Sequence, residues 1–203
     1  MPISMYCTKI PLIIILLILT GCSHHKNHAV VEHSTTNAQT YSNPEEDIQL
    51  YQQALAHLSH NELENAESIL RLFTKKNPAL AGPWANLGLV EFKRENLDNA
   101  EKLLTMALEK NSKLPQAHNL LGLVNQKKGN IHQAEAFYTE AIAQKDDYAI
   151  AHYNIALLYD IYLRDIQKAL FHYKRYLEIT NYTDQQTASW VEELKFSLKT
   201  NKL

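Results

Sequence analysis

The apolar and small positions of this chain recur with a period of 34 residues: Ala66, Ala100 and Ala134 stand at that spacing, and Ala169 follows one residue late. Around them four segments share one scaffold: NELENAESIL from Asn61, ENLDNAEKLL from Glu95, GNIHQAEAFY from Gly129 and RDIQKALFHY from Arg164. Each reads as a polar turn followed by an amphipathic helix. Upstream of each lies another helix in matching register, in which Leu50, Trp84, His118 and His152 are 34 apart, as are Ala54, Gly88, Gly122 and Ala156. Such a period predicts stacked helical hairpins, because one hairpin cannot bury its apolar faces alone and its neighbours supply the rest of the core. Small residues recurring at one register position predict close helix crossings, where a larger side chain would overpack the interface.

These residues resemble the tetratricopeptide repeat (TPR) family, whose pattern is W-x2-L-G-x2-Y, then Ala, an aromatic, Ala and Pro. The second segment carries it best, with Trp84, Leu87, Gly88, Ala100, Leu104 and Ala107, although Glu91 stands where the family has Tyr. The first segment supplies Ala66 and Pro78, the third Leu121, Gly122, Ala134, Tyr138 and Ala141, and the fourth Ile155, Ala156 and Tyr159. The resemblance implies an all-α, right-handed α-solenoid of about four hairpins. Its repeats would lie at 47–80, 81–114, 115–148 and 149–182, within a domain spanning 45–183.

The fourth segment departs from the others. Tyr159 to Asp165 inserts one residue into the turn, and Tyr153, Tyr159, Tyr162, Tyr173, Tyr176 and Tyr182 crowd this end. Tyrosines suit interfaces, having an apolar ring and a wet hydroxyl, but their spacing also fits ordinary packing between helices. Beyond them Thr183 to Gln186 reads as a capping box, and Thr187, Val191, Leu194 and Leu198 fall on one helix face. Residues 184–203 are therefore expected to form a capping helix and tail, with Trp190 at the edge.

At the amino terminus Lys9 precedes the apolar run Ile10 to Leu19, which ends in Leu19-Thr20-Gly21-Cys22. The run is too short for a transmembrane helix, which needs about 20 apolar residues, and reads as the hydrophobic core of a signal peptide spanning 1–21. The Leu-Thr-Gly-Cys ending resembles the bacterial lipobox. That resemblance implies a diacylglyceryl group on the thiol of Cys22, cleavage before it and acylation of the new amine. With Ser23 next, in place of the Asp that retains enterobacterial lipoproteins in the inner membrane, the implied destination is the outer membrane, facing the periplasm. Several acyl chains anchor stably, since each buried methylene contributes about 0.8 kcal/mol.

Residues 22–44 are rich in His, Asn, Ser and Thr, lack a sustained period and read as a lipidated flexible tether. His24, His25, His28 and His33 form a cluster of metal-capable imidazoles, but with no fixed set of four ligands the expected role is solvated spacer, and no metal or other cofactor is expected. His118 and His152 are expected to be packing residues. With Cys7 lost in the leader and Cys22 a thioether, the mature chain has no disulfide to hold it, and packing must do so.

The chain has 20 basic and 22 acidic residues, which offers no general attraction for nucleic acid. The basic pairs Lys75-Lys76 and Lys127-Lys128 are placed at a helix end and in a hairpin turn. The glycines sit at helix crossings and turns, so no loop cradles phosphate, and no H-E-x-x-H, G-x-S-x-G or free thiol is available for catalysis. The carboxylates read as solvated side chains at i,i+4 spacing. Neither an enzyme nor a small-molecule substrate is expected.

The expected function is protein binding. In the resembled family the first helices line a groove, which places Tyr51, Leu55, Asn86, Leu89, Asn119, Leu123, Tyr153, Asn154 and Leu157 towards a protein partner. Apolar residues with interspersed Asn suit an extended segment or an amphipathic helix, although some of these positions would only pack between helices. A clamp for a terminal carboxylate is disfavoured, because Tyr51, Leu55, Gln116 and Leu120 occupy positions where such a clamp carries its other contacts. Lipobox, tether and repeats together are similar to type IV pilus pilotins, to TonB-system-associated TPR lipoproteins and to adaptors that dock cell-wall hydrolases. That layout implies an adaptor that supports an envelope machine.

Overall fold

The computed structural model describes residues 44–200, and all the regular structure among them is helical. Four hairpins follow one another: α1 (Pro44–Ser59) with α2 (Leu63–Lys76), α3 (Ala81–Lys93) with α4 (Leu97–Lys110), α5 (Pro115–Lys127) with α6 (Ile131–Gln144), and α7 (Ala149–Leu157) with α8 (Ile166–Ile179). A final helix, α9 (Gln185–Thr200), packs on α8. The fold is an all-α solenoid, and each helix packs chiefly on its neighbours in sequence.

The turns inside the hairpins repeat as faithfully as the helices. Asn61, Glu95, Gly129 and Arg164 all adopt the left-handed conformation, with φ of 60°, 62°, 80° and 57°. In the first three turns the next residue donates its N–H to a carbonyl five positions back, Glu62 to His57, Asn96 to Glu91 and Asn130 to Asn125, at 2.8 to 2.9 Å. This is the bond that ends a helix on a left-handed residue and satisfies a terminal carbonyl. In the fourth hairpin Asp165 reaches six positions back, to Tyr159. The inserted residue is thus absorbed inside the first helix, as the π-helical turn Leu158–Leu163, and the turn chemistry beyond it is kept.

The small residues lie where the helices cross. Ala54, Ala156 and the four alanines of the second helices are fully buried. A Cβ on Gly88 would lie 2.7 Å from Leu104 Cγ, so α3 and α4 meet there without room for a methyl group. Two buried clusters result. One runs from α1 to α5 and the other from α6 to α9, and Leu123 packs against both.

Of the crowded tyrosines, Tyr153, Tyr159, Tyr173 and Tyr176 belong to the second cluster, with Tyr153 and Tyr176 ring centroids 5.0 Å apart. Tyr162 and Tyr182 are exposed. On α9, Thr187 and Val191 are buried and Leu194 and Leu198 pack beside them, while Trp190 sets its edge against Tyr173. The cap of this helix differs from the expected box. Asp184, rather than Thr183, accepts from Thr187 N at 3.0 Å and from Thr187 Oγ1 at 2.7 Å. Thr183 instead turns back to the carbonyl of Thr180. The helix starts one residue later than the box requires, and a carboxylate beside its amino-terminal N–H groups is favoured by the helix dipole.

Candidate functional site

Two pairs of first helices, α1 with α3 and α5 with α7, touch through polar side chains 35 residues apart. Asn86 on α3 donates from Nδ2 to the hydroxyl of Tyr51 on α1 at 2.8 Å, and Asn154 on α7 donates to Oδ1 of Asn119 on α5 at 2.9 Å. Burial raises the Tyr51 phenol to about 12, despite the Asn86 bond. Of the nine residues placed towards a partner, Tyr51, Leu55, Leu123 and Leu157, on α1, α5 and α7, are half-buried. Asn86, Leu89, Asn119, Tyr153 and Asn154 are buried. The amides of Asn86, Asn119 and Asn154 therefore serve contacts between helices, and Tyr153 joins the tyrosine cluster. Register alone does not separate these two groups, since all nine lie on the same helices.

A second series sits six residues beyond a carbonyl. Trp84 donates Nε1–H to the Pro78 carbonyl, and His118 and His152 place Nε2 at 3.0 Å from the carbonyls of Ser112 and Asp146. A carbonyl only accepts, so each of these histidines carries its proton on Nε2 and stands in for the indole. They are packing residues, as their positions indicated. For His152 this leaves Nδ1 as an acceptor, and His172 on α8 donates to it across 2.9 Å. His172 also stacks on Tyr159 at 5.8 Å.

Protonating this pair is costly. Burial, then the neighbouring His152 and Lys168, hold the His172 imidazole down to about 4, from an ordinary 6.5. Burial also lowers His152, with Arg175 adding to the effect and the Asp146 carbonyl and carboxylate opposing it. Above pH 6.5 both folded and unfolded forms are neutral, so stability is full. As pH falls from 6.5 towards 4 the unfolded chain takes up protons that the folded one refuses, and stability is lost across that window. Discounted for the partial exposure of His172, the loss at pH 5 is about 1 kcal/mol, or a melting shift of about 3 °C. Thermal denaturation of the protein and of His172→Phe, at pH 7.5 and 5.0, is expected to show a smaller acid shift in the variant. Equal shifts would remove the pair as the cause.

The carboxylates follow a third series. Glu67, Glu101 and Glu135, each 34 residues from the last, receive groups from the next repeat. Arg94 meets Glu67, Lys128 meets Glu101 at 2.7 Å, and Tyr159 donates to Glu135 at 2.6 Å with Lys168 at 3.8 Å. The hydrogen bond from Arg94 holds Glu67 below the usual carboxylate range. Expected as solvated i,i+4 side chains, these acids instead pair mostly across repeats, and Arg71 with Glu67 is the i,i+4 case among the three. Lys127 and Lys76 make similar long-range bonds, to Glu95 and Asp47. The recurrence of Glu every 34 residues was the available signal. At the fourth position Leu170 takes its place, buried in the second cluster.

Among the described residues no group of three or more His, Cys, Asp or Glu could hold a metal ion, and no helix is long and apolar enough to cross a membrane. The signal peptide, Cys22 and the tether with its histidines lie outside the described residues.

The tetratricopeptide repeat family model matches residues 115–148. No curated protein matches the chain by sequence. Among solved structures it is similar to pilF of Pseudomonas aeruginosa, with a TM-score of 0.68 at 18% identity over 77% of this chain and 70% of that one. It is also similar to TTC0263, a thermophilic TPR protein of Thermus thermophilus, with a TM-score of 0.64 at 22% identity over 76% and 84%. The first TPR of Spaghetti (RPAP3), solved with the HSP90 peptide SRMEEVD, gives 0.54 at 18% identity over 59% and 93%. The hairpins, their crossings and these likenesses together show the described residues to form an all-α, TPR-like solenoid.

Proposed function

We propose that this chain is an adaptor lipidated at Cys22, held on the periplasmic face of the outer membrane, whose first-helix groove binds a segment of one envelope protein. The observation that carries the binding half is that Tyr51, Leu55, Leu123 and Leu157 are half-buried on first helices α1, α5 and α7, and we take them as one apolar stripe facing the partner. Apolar side chains left half open along a row of parallel helices suit an extended segment or an amphipathic helix laid across them. The anchoring half rests on the sequence Leu19-Thr20-Gly21-Cys22 and the tether after it. Such a tether lets the repeats meet a partner that also sits in the membrane.

Two measurements test the halves separately. Mass spectrometry of the mature amino terminus is expected to show Cys22 as first residue, bearing a diacylglyceryl thioether and an acylated amine. A terminus elsewhere, or an unmodified thiol, overturns the anchor. For binding, a photo-reactive residue is placed at Leu55 or Leu157 in the groove, or at the exposed Lys102 or Glu109 on α4, and cells are irradiated intact. Adducts to one protein from the groove positions and none from α4 are expected. Adducts from α4 alone move the binding surface. A secretin in the adduct places the adaptor in pore assembly, whereas TonB-type components or cell-wall hydrolases discard the pilotin-like role.

A further inference from the structure

Three buried side-chain amide atoms on neighbouring first helices have no hydrogen-bond partner: Asn86 Oδ1 on α3, and Gln116 Oε1 and Asn119 Nδ2 on α5. Asn86 is fully buried, and its Nδ2 is committed to Tyr51, so its amide presents an acceptor. Asn119 has the opposite polarity. Its Oδ1 takes the bond from Asn154, which leaves a donor. Asn86 and Gln116 line a small cavity between the second and third repeats, with apolar side chains that include Leu89, Leu104 and Leu120 around it. Its volume for a water-sized guest is about 10 Å³, close to what one water needs.

We propose that this cavity binds a single structural water that joins the second repeat to the third. Its two hydrogens go to Asn86 Oδ1 and Gln116 Oε1. Asn119 does not line the cavity, and its Nδ2 lies outside this site. Water suits the site because both lining acceptors are neutral amide oxygens and no carboxylate lines the cavity, so an ammonium or metal ion would be buried without a counter-charge. Two polar partners fall within the range a buried water uses. With that guest the Asn86 amide is satisfied at both ends, its Nδ2 by Tyr51 and its Oδ1 by the water. The inference does not depend on the proposed groove.

Nuclear magnetic resonance on the isotope-labelled full mature chain tests it. Cross-relaxation between a long-lived water and the side-chain amide protons of Gln116 and Asn86 is expected, with loss of that water in Gln116→Met. No such water in the unsubstituted protein overturns the proposal. So does a water that persists unchanged in Gln116→Met, or a scalar coupling revealing a direct bond from Asn119 to Asn86 or from Asn86 to Gln116. Should Gln116→Met fail to fold, the cross-relaxation and coupling measured on the unsubstituted protein decide the question alone.

Discussion

Replacing Gly122 with valine is expected to cost about 4 kcal/mol and to lower the melting temperature by about 10 °C. A Cβ at this position would stand 2.9 Å or less from three ring atoms of Tyr138. The ring cannot retreat, because Tyr138 is fully buried and its hydroxyl donates to Gln126 Oε1 at 2.8 Å. Gly88 meets Leu104 in the same way, whereas Ala54 and Ala156 already carry a methyl group at the equivalent crossings. The prohibition is therefore local to the size of the facing side chain and not general to the register. This gives a rescue. Gly122→Ala and Tyr138→Leu should each destabilise the protein, while the double variant should lose at least about 1 kcal/mol less than their sum. Thermal and urea denaturation followed by circular dichroism measure both quantities. A valine variant within about 1 kcal/mol of the parent, or strictly additive losses, would mean that α5 shifts to make room.

Introducing acids at Leu55 and Leu157 together is expected to weaken partner capture about a hundredfold, near 2.7 kcal/mol, with helical content unchanged. Both side chains are half-buried, on α1 and α7, so a longer polar side chain can turn its carboxylate to solvent and leave the helix in place. A partner that covers the stripe would have to bury those charges without counter-ions. The readout is the yield of photo-adduct from a third groove position, Leu123, with the helical signal as the control on folding. Undiminished adduct from a folded variant would sink the stripe as the binding surface. Asn86 and Asn119 make poor probes of the same question, because glutamate at either fully enclosed site attacks the packing first.

Much of this architecture was legible in the residues. The period located every hairpin, and the recurring Ala and Gly located the crossings, because a steric demand at one register position restricts residue type at each repeat. The exposure of the groove was harder to read. Leu55 and Leu89 stand 34 residues apart on first helices, yet one is half-buried and the other buried, so the neighbouring helices and not the repeat position set the exposure. The cross-repeat pairs of Glu67 and Glu101 escaped for a related reason: an acid and a base about 30 residues apart become neighbours only once the hairpins stack. The fourth repeat shows a third limit. Its extra residue was visible as a one-residue slip, but a π turn and a longer loop are equal in length, and only the bond from Asp165 to Tyr159 separates them.

The acid series also determines where the array can grow. Because Glu67, Glu101 and Glu135 each look forward to a donor on the following hairpin, the internal repeats behave as interchangeable modules with the same plug at one edge and the same socket at the other. Excising 81–114 would set Glu67 against Lys128 and keep the joint electrically matched. Leu170 offers no such joint. An apolar residue stands where a further module would find an acid, and it is already covered in the cluster that includes α9 residues. The fourth hairpin therefore meets its successor through apolar packing, where the first three meet theirs through an acid.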